Sequence, residues 1–238
     1  MPYFDLIAFD ADDTLWHNMR LYLQSQAGLA ALLAGYGITR QALDECLYQT
    51  ESRNIRMFGY GIKSFALSMI ETALTLTSAE LSGQDVQAII DLARAQLNAP
   101  IQLLEHVRET VPQLASRHPL LLITKGDLLD QETKLARSGL GEFFQDIEVV
   151  SDKTLLSYEA LFRNHALDPR QVLMVGDSLR SDILPVLELG CTAVYIPYPE
   201  AWQHEAAQVP APGTPRFHQL EHLGQLPTLL DRLEAQGD

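Results

Sequence analysis

The chain has 238 residues, 47% hydrophobic and 20% charged, a globular balance that argues against disorder and suits one large domain or a core with a smaller module. Its formal net charge of −14 disfavours nucleic acid and anionic membranes as partners. The two cysteines, Cys46 and Cys191, lie far apart and read as thiols of a reducing compartment. No basic segment precedes the first apolar run, and no run reaches the ~20 residues that span a membrane, so a soluble, cytoplasmic protein is expected.

The first apolar run, 3–9, reads as a buried strand and ends in "DADDT", which crowds Asp10, Asp12 and Asp13 into four positions. The stretch that follows, 21–97, has helical periodicity throughout. "LYLQSQAGLAALLAGYG", "RQALDECLYQTESR", "IKSFALSMIETALTL" and "GQDVQAIIDLARAQL" predict four amphipathic helices, with residues 98–101 as the return linker. Apolar runs at 120–123, 147–150, 172–175 and 193–196 then alternate with helical segments at 128–138, 155–165 and 179–189. The tail 197–216, with five prolines, predicts a loop, followed by a short segment at Phe217 and a terminal helix, "LGQLPTLLDRLEAQ". Strand–helix alternation implies right-handed crossovers. The expected fold is therefore α/β: a doubly wound, Rossmann-like parallel sheet from residues 1–17 and 99–238, with an inserted α-helical cap at 18–98.

Ligands of such sheets bind beyond the carboxyl ends of the strands. Asp10 follows the first strand, Thr124 ends "LLLIT", Lys153 follows "VVSD", and Asp177 follows "VLMVG". Asp12, two residues past Asp10, is expected to face the same cleft. Carboxylates crowded at one edge become tolerable when a divalent cation and a lysine neutralise them.

In that order, "DADDT", Thr124, Lys153 and "GDSLRSD" at 176–182 resemble the four motifs of the haloacid dehalogenase superfamily, phosphatase type, over nearly the whole chain, and the helical insert is similar to the family's C1 cap. One departure is Thr154, where the family often has proline. The resemblance implies Asp10 as nucleophile forming an aspartyl-phosphate, and Asp12 as general acid and base. It implies Mg²⁺ held by Asp10, Asp177 and the main-chain carbonyl of Asp12. Thr124, Lys125 and Lys153 would bind phosphate, with Asp182 and Ser178 behind them. The implied substrate is a small phosphate monoester, handled by a monomer or homodimer without nucleic acid or membrane.

Three rivals share parts of this chemistry. A dehalogenase uses the same nucleophile but lacks the second aspartate, which is present here as Asp12. A phosphotransferase or phosphomutase uses the same groups. A receiver-like phospho-acceptor has no use for a large helical insert. Asp13 reads equally as a turn or cap residue. "HQLEH" at 218–222 matches a zinc peptidase pattern with too little chain after it, and the "GYG" segments at Gly35 and Gly59 read as helix-end turns. Finally, "ESRNIRMFGYGIKSF" at 51–65 gathers Arg53, Arg56 and Lys63 around Tyr60, and is expected to form a glycine-flexed turn that contacts substrate, or else a plain connection whose cations pair with Glu51 and Glu71.

Overall fold

The computed structural model describes residues 4–200 and 202–236. Six strands, β1 (Leu6–Phe9), β2 (Leu120–Lys125), β3 (Asp146–Val150), β4 (Val172–Gly176), β5 (Thr192–Tyr195) and β6 (Phe217–Gln219), form one parallel sheet in the order β3-β2-β1-β4-β5-β6. Tyr3, part of the expected first run, lies outside the described residues. The α-helices in chain order are α1 (Met19–Ala34), α2 (Arg40–Phe58), α3 (Ile62–Leu76), α4 (Gly83–Asn98), α5 (Val107–Ala115), α6 (Leu128–Ser138), α7 (Leu155–Asn164), α8 (Leu184–Glu188) and α9 (Leu226–Gln236).

Side chains alternate across a strand, so an apolar run feeds two cores at once. Ile7 and Phe9 of β1 join Leu120, Leu122, Leu173 and Val175 on one face, under Val107, Val111 and Leu114 of α5 and Leu229, Leu230 and Leu233 of α9. Leu6 and Ala8 join Leu121, Ile123, Val172 and Met174 on the other, under Tyr158, Leu161 and Phe162 of α7 and Val186 of α8. This is a doubly wound α/β sheet with helices on both faces.

The chain divides into two compact units: residues to His17, Ile101–Lys125 and those from Gln131 onward in one, and Asn18–Pro100 with Gly126–Asp130 in the other. The helical unit has its own core, including Leu29, Leu33, Leu43, Leu47, Ile62, Phe65, Met69 and Ile89. Ser82 and Asp85 close a capping box at the start of α4.

Three elements differ from expectation. The turn expected across 51–65 is helical at both ends: α2 runs through Phe58 and α3 starts at Ile62, leaving Gly59–Tyr60–Gly61 as the connection, with Gly59 (φ 77°) and Gly61 (φ 115°) in the left-handed region. Glu, Arg and Met continue a helix readily, and only the glycines break it. The single helix expected over 179–189 is a π-helical turn, Leu179–Ile183, followed by α8, because Pro185 lacks the N–H that a continuous α-helix needs there. Helix α5 is additional to the expected elements; it carries Pro112 in its interior, and burial of Val107, Thr110, Val111 and Leu114 holds it.

Candidate active site

Asp10 directly follows β1, and its N–H donates to the Val175 carbonyl at 2.9 Å. Phe9 lies in register with Leu122 of β2 and Val175 of β4, so the ends of β2 and β4, with Thr124 and Asp177, flank it. Lys153 sits in the β3–α7 turn because Thr154 caps α7 through a reciprocal bond with Ser157. The buried Lys153 ammonium donates to Asp10 Oδ1 and, at 2.7 Å, to Asp182 Oδ1. Asp182 is turned inward by the π-helical turn, and its Oδ2 accepts from the Ser178 N–H at 3.0 Å. Gly176 makes this approach possible, for a Cβ there would lie 2.4 Å from the Asp182 side chain. Carboxylate oxygens of Asp10, Asp177 and Asp182 all fall within 4.8 Å of one another.

The electrostatics follow from three acids sharing one buried cation. Burial pushes Asp10 up to about 7 against the opposing pull of Lys153, with the Asp182 charge adding to the rise. Burial, then the charges of Asp10 and Asp182, push Asp177 well above the usual carboxylate range. Burial disfavours the Lys153 ammonium, yet the facing Asp10 and Asp182 carboxylates outweigh it and hold its pKa well above the ordinary value. An acid cluster, two of its three members buried, that one lysine leaves under-neutralised, with oxygen donors from separate elements, fits a hard divalent cation.

The remaining expected residues are placed as follows. The Asp12 carboxylate accepts from Trp16 Nε1 (2.7 Å), Gln131 Nε2 (2.9 Å) and Lys134 Nζ (3.1 Å to each oxygen), and its side chain is not part of the three-acid cluster. Asp13 is a turn residue in the left-handed region (φ 64°), its N–H donating to the Trp16 carbonyl. Thr124 is buried at the end of β2. Lys125 does not present a free ammonium: it donates to Ser181 Oγ (2.8 Å) and pairs with Glu205 at 2.5 Å. Ser178 caps the π-helical turn by accepting from the Ser181 N–H and donates its hydroxyl to Glu205. In the helical unit, Arg53 pairs with Glu71 at 2.7 Å and Lys63 with Asp127 at 3.0 Å, while Arg56 is exposed and Tyr60 half-buried. Glu51 is buried rather than paired with those cations.

Trp16, Gln131, Lys134 and Glu205 touch these groups and carry no motif. Gln131 and Lys134 were legible only as one face of α6, three residues apart. No further group of three His, Cys, Asp or Glu side chains among the described residues is placed to hold a metal, which leaves "HQLEH" without that role.

An acid cluster and buried lysine at the carboxyl edge of a doubly wound sheet, with a helical unit inserted after the first strand, define a class of α/β hydrolase. The family model for haloacid dehalogenase-like hydrolases matches residues 4–190, and the chain belongs to that family. A solved haloacid dehalogenase-like hydrolase from Xanthomonas campestris is 37% identical with a TM-score of 0.87, the match covering 99% of this chain and 94% of that one. Two relatives from Escherichia coli K12 are similar at lower identity. The pyrimidine 5'-nucleotidase YjjG is 26% identical over 92% of this chain and 97% of its own. The 5-amino-6-(5-phospho-D-ribitylamino)uracil phosphatase YigB is 24% identical over 80% and 82%. No helix among the described residues is long and apolar enough to cross a membrane.

Proposed function

We propose that this hydrolase is a Mg²⁺-dependent phosphomonoesterase that works through an aspartyl-phosphate on Asp10. The observation that carries the reading is the constellation of buried Asp10, Asp182 and Lys153 with the half-buried Asp177. Asp10 and Asp177 would hold the ion, with Asp182 in reach and the Asp12 carbonyl as the further ligand that the family resemblance implies. When bound, Mg²⁺ offsets the charge that a carboxylate and a phosphate dianion bring together.

An Asp10 carboxylate oxygen attacks phosphorus, and the ester P–O bond breaks as the new O–P bond forms. Lys153, locked to Asp10 and Asp182, aims the nucleophile and supplies positive charge beside the transferring group. Thr124, buried at the adjacent strand end, donates its hydroxyl to a phosphoryl oxygen. Asp12 gives a proton to the departing alkoxide, then takes one from the water that attacks phosphorus and releases Asp10 and inorganic phosphate. The presence of Asp12 favours this reading over dehalogenation, where a halide needs no acid.

Both curated relatives act, by their names, on compounds joining a pyrimidine ring to a phosphorylated five-carbon unit or nucleotide. Pyrimidine nucleoside 5'-monophosphates therefore head the substrate panel. The test is phosphate release from a broad set of monoesters with Mg²⁺ and with EDTA, beside Asp10→Asn. Mg²⁺-dependent release that Asp10→Asn abolishes supports the proposal. No release from any ester, with phosphoryl transfer to an added alcohol or sugar phosphate instead, would move the assignment to a phosphotransferase.

A further inference from the structure

Glu205 lies far from every motif, in a short 3-10 turn (Gln203–Glu205) of the proline-rich segment between β5 and β6. Its side chain is 13% exposed and its carboxylate is saturated with donors. Lys125 Nζ approaches to 2.5 Å, Ser178 Oγ donates at 2.5 Å, and Ser181 Oγ donates as well. Lys125 also donates to Ser181 Oγ, and the Arg180 guanidinium donates to the His204 carbonyl at 2.6 Å, tying the turn down a second time. Although burial opposes its charge, Lys125 and the two serines hold Glu205 down at about 2, so it stays ionised.

The positions of these partners give the contact its meaning. Lys125 follows Thr124 at the end of β2, and Ser178 follows Asp177 beyond β4. These are the two strands that flank β1 and its Asp10. One carboxylate therefore joins the strand ends on both sides of the nucleophile. A buried ion pair contributes little net stability compared with apolar packing, while removing one partner leaves an uncompensated buried charge.

We infer that Glu205 is a positioning residue of the phosphoryl pocket: by taking up the Lys125 charge and both serine hydroxyls, it sets Thr124 and Asp177 at their working separation and makes Lys125 a strut rather than a phosphate ligand. This inference rests on the phosphatase reading. It gives opposite signs to two accounts of Lys125. If Lys125 gripped phosphate directly, with Glu205 as competitor, Glu205→Gln would free the lysine and tighten phosphate binding. If Glu205 positions the strand ends, Glu205→Gln loosens them, and phosphate binding weakens.

The test compares wild type, Glu205→Gln, Glu205→Asp, Lys125→Met and the double variant Lys125→Met/Glu205→Gln. Two readouts are taken in Mg²⁺: the affinity for inorganic phosphate by calorimetry, and kcat/KM on p-nitrophenyl phosphate. Misplacement on the ångström scale costs up to ~10²-fold, so losses of roughly 10–10²-fold are expected in both readouts for either single variant. The double variant should be no worse than the worse single, since both remove one device, and it keeps a test available if a lone unpaired charge unfolds the chain. Glu205→Asp should recover part of the loss. Tighter phosphate binding in Glu205→Gln, or unchanged affinity and kcat/KM, overturns the inference while hydrolysis stands. Wild-type protein that binds phosphate without turning over any ester overturns hydrolysis alone, and the affinity series still decides on Glu205. Protein that neither binds nor hydrolyses overturns both.

Discussion

Glu51 provides a measurable reading of burial in the helical unit. It lies on α2 between Leu47 and Asn54 on the helix's inner side, 7% exposed, and burial pushes its pKa from the ordinary 4.5 to about 7. At about 1.4 kcal/mol per pH unit, that gap corresponds to roughly 3 kcal/mol. The native state holds the proton more tightly than the unfolded chain. Between pH 4.5 and 7 the unfolded state therefore binds fewer protons, and stability falls as pH rises. Below 4.5 both states are protonated and the penalty vanishes; above 7 it is complete. Glu51→Gln keeps the shape and removes the charge. In urea denaturation, the variant should exceed wild type by a small margin at pH 5 and by roughly 2–3 kcal/mol more at pH 8.5. Subtracting one protein from the other cancels every other titrating group. A gap of equal size at both pH values would refute the reasoning, because it would place Glu51 in contact with water or a partner when ionised.

The other predictions concern the sheet edge. Asp12→Asn should lower turnover of an alkyl phosphate ~10²–10⁴-fold but cost much less on p-nitrophenyl phosphate, whose leaving group needs little protonation; initial rates on both esters check this, and equal losses remove Asp12 from acid catalysis. Lys153→Met leaves the buried Asp10 and Asp182 carboxylates without their ammonium and should destabilise the metal-free protein by about 3–5 kcal/mol in denaturant titrations with EDTA, with part of the loss restored by Mg²⁺. Gly176→Ala places a methyl group 2.4 Å from the Asp182 side chain, and should cost about 1–3 kcal/mol and abolish most activity; a variant as stable and active as wild type would show that the approach of Asp182 is slack.

The sheet was readable because near-continuous apolar runs such as 172–175 have few alternatives to a strand covered on both faces. The insert was readable because a glycine or a capping serine marks half of its helix ends, such as Gly59 after α2 and Ser82 before α4. The candidate site was readable at the strand ends, where Asp10, Thr124 and Asp177 need no tertiary information to be placed on one edge. What escaped was set by distant contacts. Pro112 argues locally against a helix that exists because its apolar face covers the sheet. Arg53 and Arg56 look like loop cations until α2 continues beneath them. The contact of Lys125 with Glu205 has no local signal, because only the fold brings the two together across 80 residues.

The same contacts sort the charges of the site into two kinds. With all three acids ionised, Asp10, Asp177 and Asp182 against Lys153 would leave two negative charges, the charge that one divalent cation carries, and burial together with that excess raises the pKa values of Asp10 and Asp177. Lys125 does not lessen that excess, since Glu205 matches it. Asp12, matched by Lys134, does not add to it. Lys125 and Asp12 are thus each balanced by a partner of their own, whereas the charge of Asp13 adds to the rise at Asp177. On the proposed phosphatase reading, a phosphate dianion brought to the cluster without a cation would meet carboxylates that one lysine does not fully neutralise. A divalent cation would bring the cluster to neutrality while Lys153 holds the Asp10 oxygen. On that reading, selectivity for a phosphorylated substrate would not need a strongly positive pocket. It would need an acid cluster one divalent ion short of neutrality.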